Sequence, residues 1–289
     1  MTGLPVPAEG GAPGVVLVCG GGGAKAAAHV GAMRALEEQG IRPTHFVGTS
    51  MGAVFAAMFA AGISAPEALE RVAGVGDGEI VKAEPFALLK GLWARSLLKA
   101  DPFKAALARL VPATRFEELA SPLTVTSTEL ESGALTLFGA GGRGVPLLDA
   151  LYATCALPLF LPPAVIGGKR YGDGGLRAVL PLEPATLLPA TLVVAVDVGP
   201  GFDEPPGASG PGLPPVVEAH NEASGILMAG QTALALALWR ASAHRPRLLY
   251  VRPRVEKGAT FRVDQVRRYV EEGFAATRAA LMGLNSGEP

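Results

Sequence analysis

Cysteine is scarce: Cys19 and Cys155 are the only two among 289 residues. Both stand in apolar surroundings, so they build neither a disulfide framework nor a metal-ligand spacing, and they read as small buried hydrophobes. An excess of charge of one sign is also missing. Against 26 Asp+Glu stand 25 Lys+Arg, for a formal net charge of -1, which leaves no electrostatic footprint for nucleic acid. No apolar run reaches membrane-spanning length, and the first residues lack a basic stretch followed by an apolar one. A soluble, cytoplasmic protein is therefore expected. Charged residues make up only 18% of the chain and hydrophobic ones 49%, a balance that excludes intrinsic disorder and supplies a large core.

Glycine and proline are abundant, at 38 and 25, so tight turns between short elements are expected. Residues 1–13 read as a Pro/Gly tail. Val15 to Cys19 is a short continuous apolar run, the pattern of a strand buried on both faces. It stops at Gly20-Gly21-Gly22-Gly23, and helical spacing follows from Ala24 to Gln39, closed by Gly40. Phe46-Val47-Gly48 is a second strand, which runs through Thr49-Ser50-Met51-Gly52 into an apolar helix, Ala53 to Ala61. Residues 64–120 read as largely helical, with a capping box at Ser64 to Glu67 and an N-cap at Asp101 before Pro102. A hairpin is expected from Leu123 to Phe138, a helix from Pro146 to Cys155, and a buried strand from Leu192 to Val198. Residues 199–215 are a Gly/Pro-dominated loop. Helices at Asn221 to His244 and Val263 to Leu281 flank a strand at Leu248 to Val251. The alternation predicts one α/β domain over residues 14–284, three-layered, with a mostly parallel central sheet and helices on both faces.

The four glycines lie between a strand and a helix, where backbone N–H groups can converge on an anion, either a phosphate or the oxyanion of a tetrahedral intermediate. The dinucleotide reading is weakened because the second strand ends in Gly48-Thr49-Ser50 and not in a ribose-binding acid. The P-loop pattern fails around Lys25, which neither follows a glycine nor precedes a hydroxyl. Gly48-Thr49-Ser50-Met51-Gly52 fits G-x-S-x-G at a strand-to-helix turn, which lifts a serine hydroxyl above the sheet edge. Two successive turns of a parallel sheet are neighbours, so nest and serine are expected to meet at one crevice.

A serine nucleophile needs a base. Of the four histidines, His29 and His45 read as structural, while His220 and His244 have the chain order of an α/β-hydrolase triad. Asp173-Gly174-Gly175 offers a carboxylate instead. Desolvation in a crevice would raise its pKa and make it a better proton acceptor.

Three motifs in order, Gly21-Gly22-Gly23-Ala24-Lys25-Ala26, Gly48-Thr49-Ser50-Met51-Gly52 and Asp173-Gly174-Gly175, resemble those of the patatin-like phospholipase family. Residues 125–133 are similar to that family's middle hairpin and residues 156–163 to its proline-rich segment. The resemblance implies Ser50 as nucleophile, Asp173 as its base, the N–H groups of Gly21, Gly22 and Gly23 as oxyanion donors, and a lipid ester substrate with no metal or organic cofactor. It departs at Ala26, where the family has glycine, and at Lys25, where arginine is commoner.

Residues 86–99 mix leucines and Trp93 with Lys90, Arg95 and Lys99, a composition that suits a lid in transient contact with a membrane surface or an ordinary packed helix. The helix from Asn221 reads as core or as a subunit contact, so an oligomer is compatible with the sequence. Two other functions stay open at this level: an esterase with a Ser/Asp/His triad, and a non-catalytic module binding a nucleotide or acyl ligand.

Overall fold

The computed structural model describes residues 14–74, 96–203, 215–243, 245–256 and 262–286. The expected tail at 1–13, most of the 86–99 segment, His244 and the middle of the Gly/Pro loop lie outside these residues. In chain order the elements are β1 (Gly14–Cys19), α1 (Ala28–Glu38), β2 (His45–Thr49), α2 (Met51–Ala60), α3 (Ala65–Ala73), α4 (Ala100–Leu110), β3 (Leu123–Glu129), β4 (Leu135–Gly139), α5 (Leu147–Cys155), β5 (Ala164–Ile166), β6 (Lys169–Asp173), β7 (Ala190–Val196), α6 (Pro215–Ala241), β8 (Arg247–Val251) and α7 (Val266–Ser286).

The strands form one sheet in the order β5-β6-β3-β2-β1-β7-β8, with β4 also paired to β3. From β3 to β8 every pairing along this order is parallel, and the antiparallel pairings of β4, β5 and β6 close one side. Chain order runs outward from β1 in both directions, so the C-terminal end of β1 is the point at which α/β sheets hold ligands. Alternate residues of β1 enter different cores: Leu17 and Cys19 join the larger one with α1, α2, α5 and α7, while Val16 and Val18 join a smaller one with Leu236 and Trp239 of α6. Burial on both faces is why the strand reads as an unbroken apolar run. The three-layer α/β architecture follows from these two cores.

Several boundaries differ from the sequence reading. The first helix opens with a 3-10 turn, Gly23–Ala27, before α1 begins. Asp101 is not an N-cap: Lys99 holds that position without a side-chain cap, and Asp101 lies in the first turn of α4, where its charge suits the helix dipole. Within 64–120 the described helices are α3, α4 and a short 3-10 turn at Phe116–Glu118. Ser64 does cap α3, accepting from the Glu67 N–H at 3.5 Å. Among the described residues no helix is long and apolar enough to cross a membrane.

Candidate active site

Cys19 pairs with Gly48 across β1 and β2, so the loops leaving the two strands are side by side. The flanking glycines make the serine turn possible by lacking a side chain. A Cβ on Gly48 would lie 2.4 Å from Ala53 Cα, and one on Gly52 would lie 2.3 Å from the Gly20 carbonyl oxygen. Between them Ser50 takes φ 53° and ψ −136°, a region that costs a side-chain-bearing residue about 1–3 kcal/mol and persists only where its surroundings hold it. Here the Ser50 N–H donates to Thr154 Oγ1 at 2.7 Å, and the Ser50 carbonyl accepts from the Ala53 N–H at 2.9 Å.

Asp173 reaches the same place along β3. One edge of β3 is taken by β4. On the other edge β2 pairs as far as Thr49 with Thr126, and β6 takes over at Asp173 with Ser127. Two strands thus end head to head at consecutive residues of a third, and residues 123 positions apart meet: Ser50 Oγ donates to Asp173 Oδ2 at 2.7 Å. The other carboxyl oxygen accepts from the Gly175 N–H at 2.7 Å. A Cβ on Gly174 would lie 2.5 Å from the Thr126 carbonyl oxygen, so glycine is what lets the chain turn there. Asp173 is only 4% exposed. Burial pushes its pKa from 3.8 up to about 6, against the opposing pull of the Gly175 N–H and the Ser50 hydroxyl.

The glycine loop lies against this pair. Gly20 donates its N–H to the Val196 carbonyl and Gly21 donates to the Val179 carbonyl, at 3.0 and 2.9 Å. The expectation for Gly21 is thereby corrected, because its donor is already used to hold the loop to the chain that follows Asp173. Gly22 and Gly23, the latter at φ 60°, make no hydrogen bond through their N–H groups among the described residues, and both line the cleft. They are the donors available to an anion. Gly22 sits so close to the Val198 carbonyl oxygen that a Cβ would lie 2.5 Å from it. Ala26 fits without glycine because its methyl group enters the core.

Behind the loop, Asp197 accepts from Tyr250 Oη at 2.8 Å and from the Gly199 N–H at 3.0 Å, with Arg252 at 3.2 Å. Lys25 is buried, and its charge acts on Asp197 as well. Among the described residues no histidine bonds to Ser50 or Asp173. His220 is exposed on α6. His45 meets Thr124, and His29 is fully buried under the glycine loop with Nε2 2.8 Å from the Gly20 carbonyl oxygen. Burial lowers the His29 pKa to about 4, so the ring is neutral, and Nε2 must carry the hydrogen because a carbonyl only accepts.

The cleft in front of Ser50 is apolar, walled by Phe55, Phe103, Leu157, Phe160, Leu161 and Met228. Leu98, from the described end of the 86–99 segment, also lines it, held by its N–H to the Phe160 carbonyl at 2.8 Å. Cys155 borders the cleft, and burial together with the Asp173 charge pushes its thiol pKa up, so it stays a protonated thiol.

A family model described as "Patatin-like phospholipase" matches residues 17–186, a span that includes the glycine loop, Ser50 and Asp173. The chain belongs to the patatin-like phospholipase family. Relatives include an uncharacterized NTE family protein of Mycobacterium tuberculosis, 31% identical over 199 residues that cover 67% of this chain and 53% of that protein. Human patatin-like phospholipase domain-containing protein 6 is 29% identical over 187 residues, which is 64% of this chain and 13% of the human protein. The chain thus spans about half of one relative and a small part of the other. Among solved structures, VipD from Legionella pneumophila aligns with a TM-score of 0.47 and 16% identity over 94% of this chain and 67% of that one.

Sequence reasoning missed Thr154. Its hydroxyl accepts from the Ser50 N–H while its carbonyl accepts from the Gly174 N–H at 3.2 Å, so one buried residue ties the serine turn to the acid turn. The available signal was a single threonine near the end of a largely apolar helix of this family member.

Proposed function

We propose that this patatin-like chain is a serine acyl hydrolase that cleaves carboxylic esters of lipids. Ser50 Oγ attacks the ester carbonyl as its proton passes to Asp173, and the N–H groups of Gly22 and Gly23 receive the negative charge that develops on the carbonyl oxygen. Asp173 then gives the proton to the departing alkoxide, which leaves as the alcohol. Water, deprotonated by the same carboxylate, clears the acyl-enzyme and regenerates Ser50 with release of a fatty acid. The apolar walls of the cleft suit an acyl chain, and the unused N–H donors suit an oxyanion.

The observation that carries this reading is the 2.7 Å bond between the Ser50 hydroxyl, in its strained turn, and a buried carboxyl whose pKa lies near 6. Labelling with a fluorophosphonate probe tests it. The wild-type chain should be labelled at Ser50 and should hydrolyse p-nitrophenyl esters. Ser50→Ala and Asp173→Asn should do neither at a measurable rate, and His220→Ala and His244→Ala should behave as wild type. Loss of activity on either histidine change would favour a triad enzyme. Absence of labelling together with a melting-temperature rise on adding NAD or ATP would favour a binding module.

A further inference from the structure

Helix α6 turns one side toward the smaller core through the buried residues Ala229, Thr232, Leu236 and Trp239. Its opposite side is apolar too. Ile226, Leu227, Leu234 and Leu238 are 57%, 69%, 60% and 56% exposed, with the small residues Gly230 and Ala237 exposed between them. Such a concentration on one helix face is a patch and not surface scatter.

We propose that this face docks a second copy of the same chain, α6 against α6, antiparallel about a two-fold axis near Gly230 and Gln231. The exposed residues Ala223, Leu227, Gly230, Leu234, Ala237 and Ala241 alternate in steps of four and three, the spacing of a helix-packing seam. Gly230 and Ala237 leave room for a close approach of the two backbones. At about 100° per residue, Leu227, Leu234 and Leu238 fall on one flank of this seam and Glu222 and Arg240 on the other. A two-fold axis perpendicular to the two helices brings like flank to like flank. Leu227 of one copy then meets Leu234 of the other, Ala223 meets Leu238, and Glu222 faces Arg240, each pairing occurring twice. The charges complement one another in this orientation, whereas a parallel pairing turns the flank of Glu222 and Arg240 toward the leucine flank of the other copy and leaves the charges unpaired.

A lipid surface fits the face less well. Interfacial helices flank their apolar side with several Lys or Arg, but Arg240 is the only one on α6, and Glu218 and Glu222 are exposed at its other end. Pairing also bears on the cleft. Met228 lines it, and Gln231 Nε2 donates to the Leu176 carbonyl at 3.0 Å, just beyond Asp173, so a docked second helix braces the wall beside the candidate active site.

Sedimentation velocity on the full chain, from about 1 to about 100 µM, tests the proposal. The wild-type protein should form a species of twice the 29.5 kDa chain mass. Leu234→Glu should be monomeric throughout while keeping the wild-type circular dichroism spectrum. Glu222→Arg should weaken association about tenfold or more, and the double variant Glu222→Arg/Arg240→Glu should restore it. A wild-type chain that is monomeric at the highest concentration overturns the proposal. So does a dimer that survives Leu234→Glu, or a charge reversal that fails to restore association. A monomer that binds phosphatidylcholine vesicles, with Leu234→Glu abolishing the binding, assigns the face to lipid and overturns it as well. Ser50→Ala should dimerise like wild type, so the outcome is independent of the hydrolase reading.

Discussion

Asp173→Asn should destroy activity and raise stability, with both effects arising from one buried carboxyl. In the folded chain burial lifts this group from 3.8 to about 6, while in the unfolded chain it reverts to its ordinary value. A group that binds its proton more tightly when folded favours folding in acid. Its contribution is fully present below the unfolded pKa and is lost as pH rises through the folded one. At pH 8 the ionised carboxylate therefore destabilises the fold by about 3 kcal/mol, taking roughly 1.4 kcal/mol per pH unit over about two units. Asparagine keeps the shape: its oxygen can accept from the Gly175 N–H, its amide can donate to Ser50 Oγ, and it carries no charge. The melting temperature of Asp173→Asn should exceed that of wild type by about 5 °C at pH 8, and the gap should close toward pH 4. On the same samples p-nitrophenyl ester hydrolysis should fall below a measurable rate, because the proton acceptor is gone. A variant that melts with wild type at pH 8, or that gains as much at pH 4 as at pH 8, would refute the reasoning.

Other outcomes follow from the same geometry. The kcat/KM of the wild-type chain for a soluble ester should rise about tenfold per pH unit below about 6 and level off above it, as the free carboxyl ionises. Thr154→Val keeps the volume but removes the acceptor of the Ser50 N–H. Stability should fall by about 1–3 kcal/mol and kcat by more than KM changes, and Thr154→Ser should restore both in steady-state kinetics and thermal melts. Gly22→Ala places a Cβ 2.5 Å from the Val198 carbonyl oxygen, so the loop must shift. Fluorophosphonate labelling should slow markedly, while the circular dichroism spectrum stays that of the wild type.

What could be read from the chain alone was whatever is encoded locally. β1 and β2 are legible because strands buried on both faces carry unbroken apolar runs, and the turns after them because Gly48 and Gly52 occupy positions where no side chain fits. The meeting of Ser50 with Asp173 has no local signature. It depends on β2 and β6 ending at Thr126 and Ser127 of β3, a matter of register between strands far apart in sequence. The family resemblance implies Gly21 as a donor along with its neighbours, yet nothing local shows that a carbonyl from Val179 consumes its N–H. β5 has only three residues, too few for an alternating pattern to declare itself. Thr154 escaped notice because a lone threonine in a helix more often bonds its own backbone than a distant turn.

The same register explains how a carboxylate could serve where an imidazole is more usual. At its ordinary pKa an aspartate is a poor proton acceptor near neutral pH, and any nearby cation makes it poorer. Asp173 avoids both handicaps through its position at the end of a strand that abuts another strand. Its main chain is fully engaged, with its N–H donating to the Ala156 carbonyl and its carbonyl accepting from Thr128 Oγ1, so the side chain can be enclosed without an unpaired backbone group. Its carboxyl is met by one N–H and one hydroxyl and by no cation among the described residues. The cations in this region are directed elsewhere: Lys25 and Arg252 act on Asp197, on the far side of the glycine loop. Two buried aspartates near one loop are thereby set apart. Burial raises the pKa of both, but for Asp197 the rise is opposed by two cations, whereas for Asp173 it is opposed only by neutral donors, one of them the Ser50 hydroxyl.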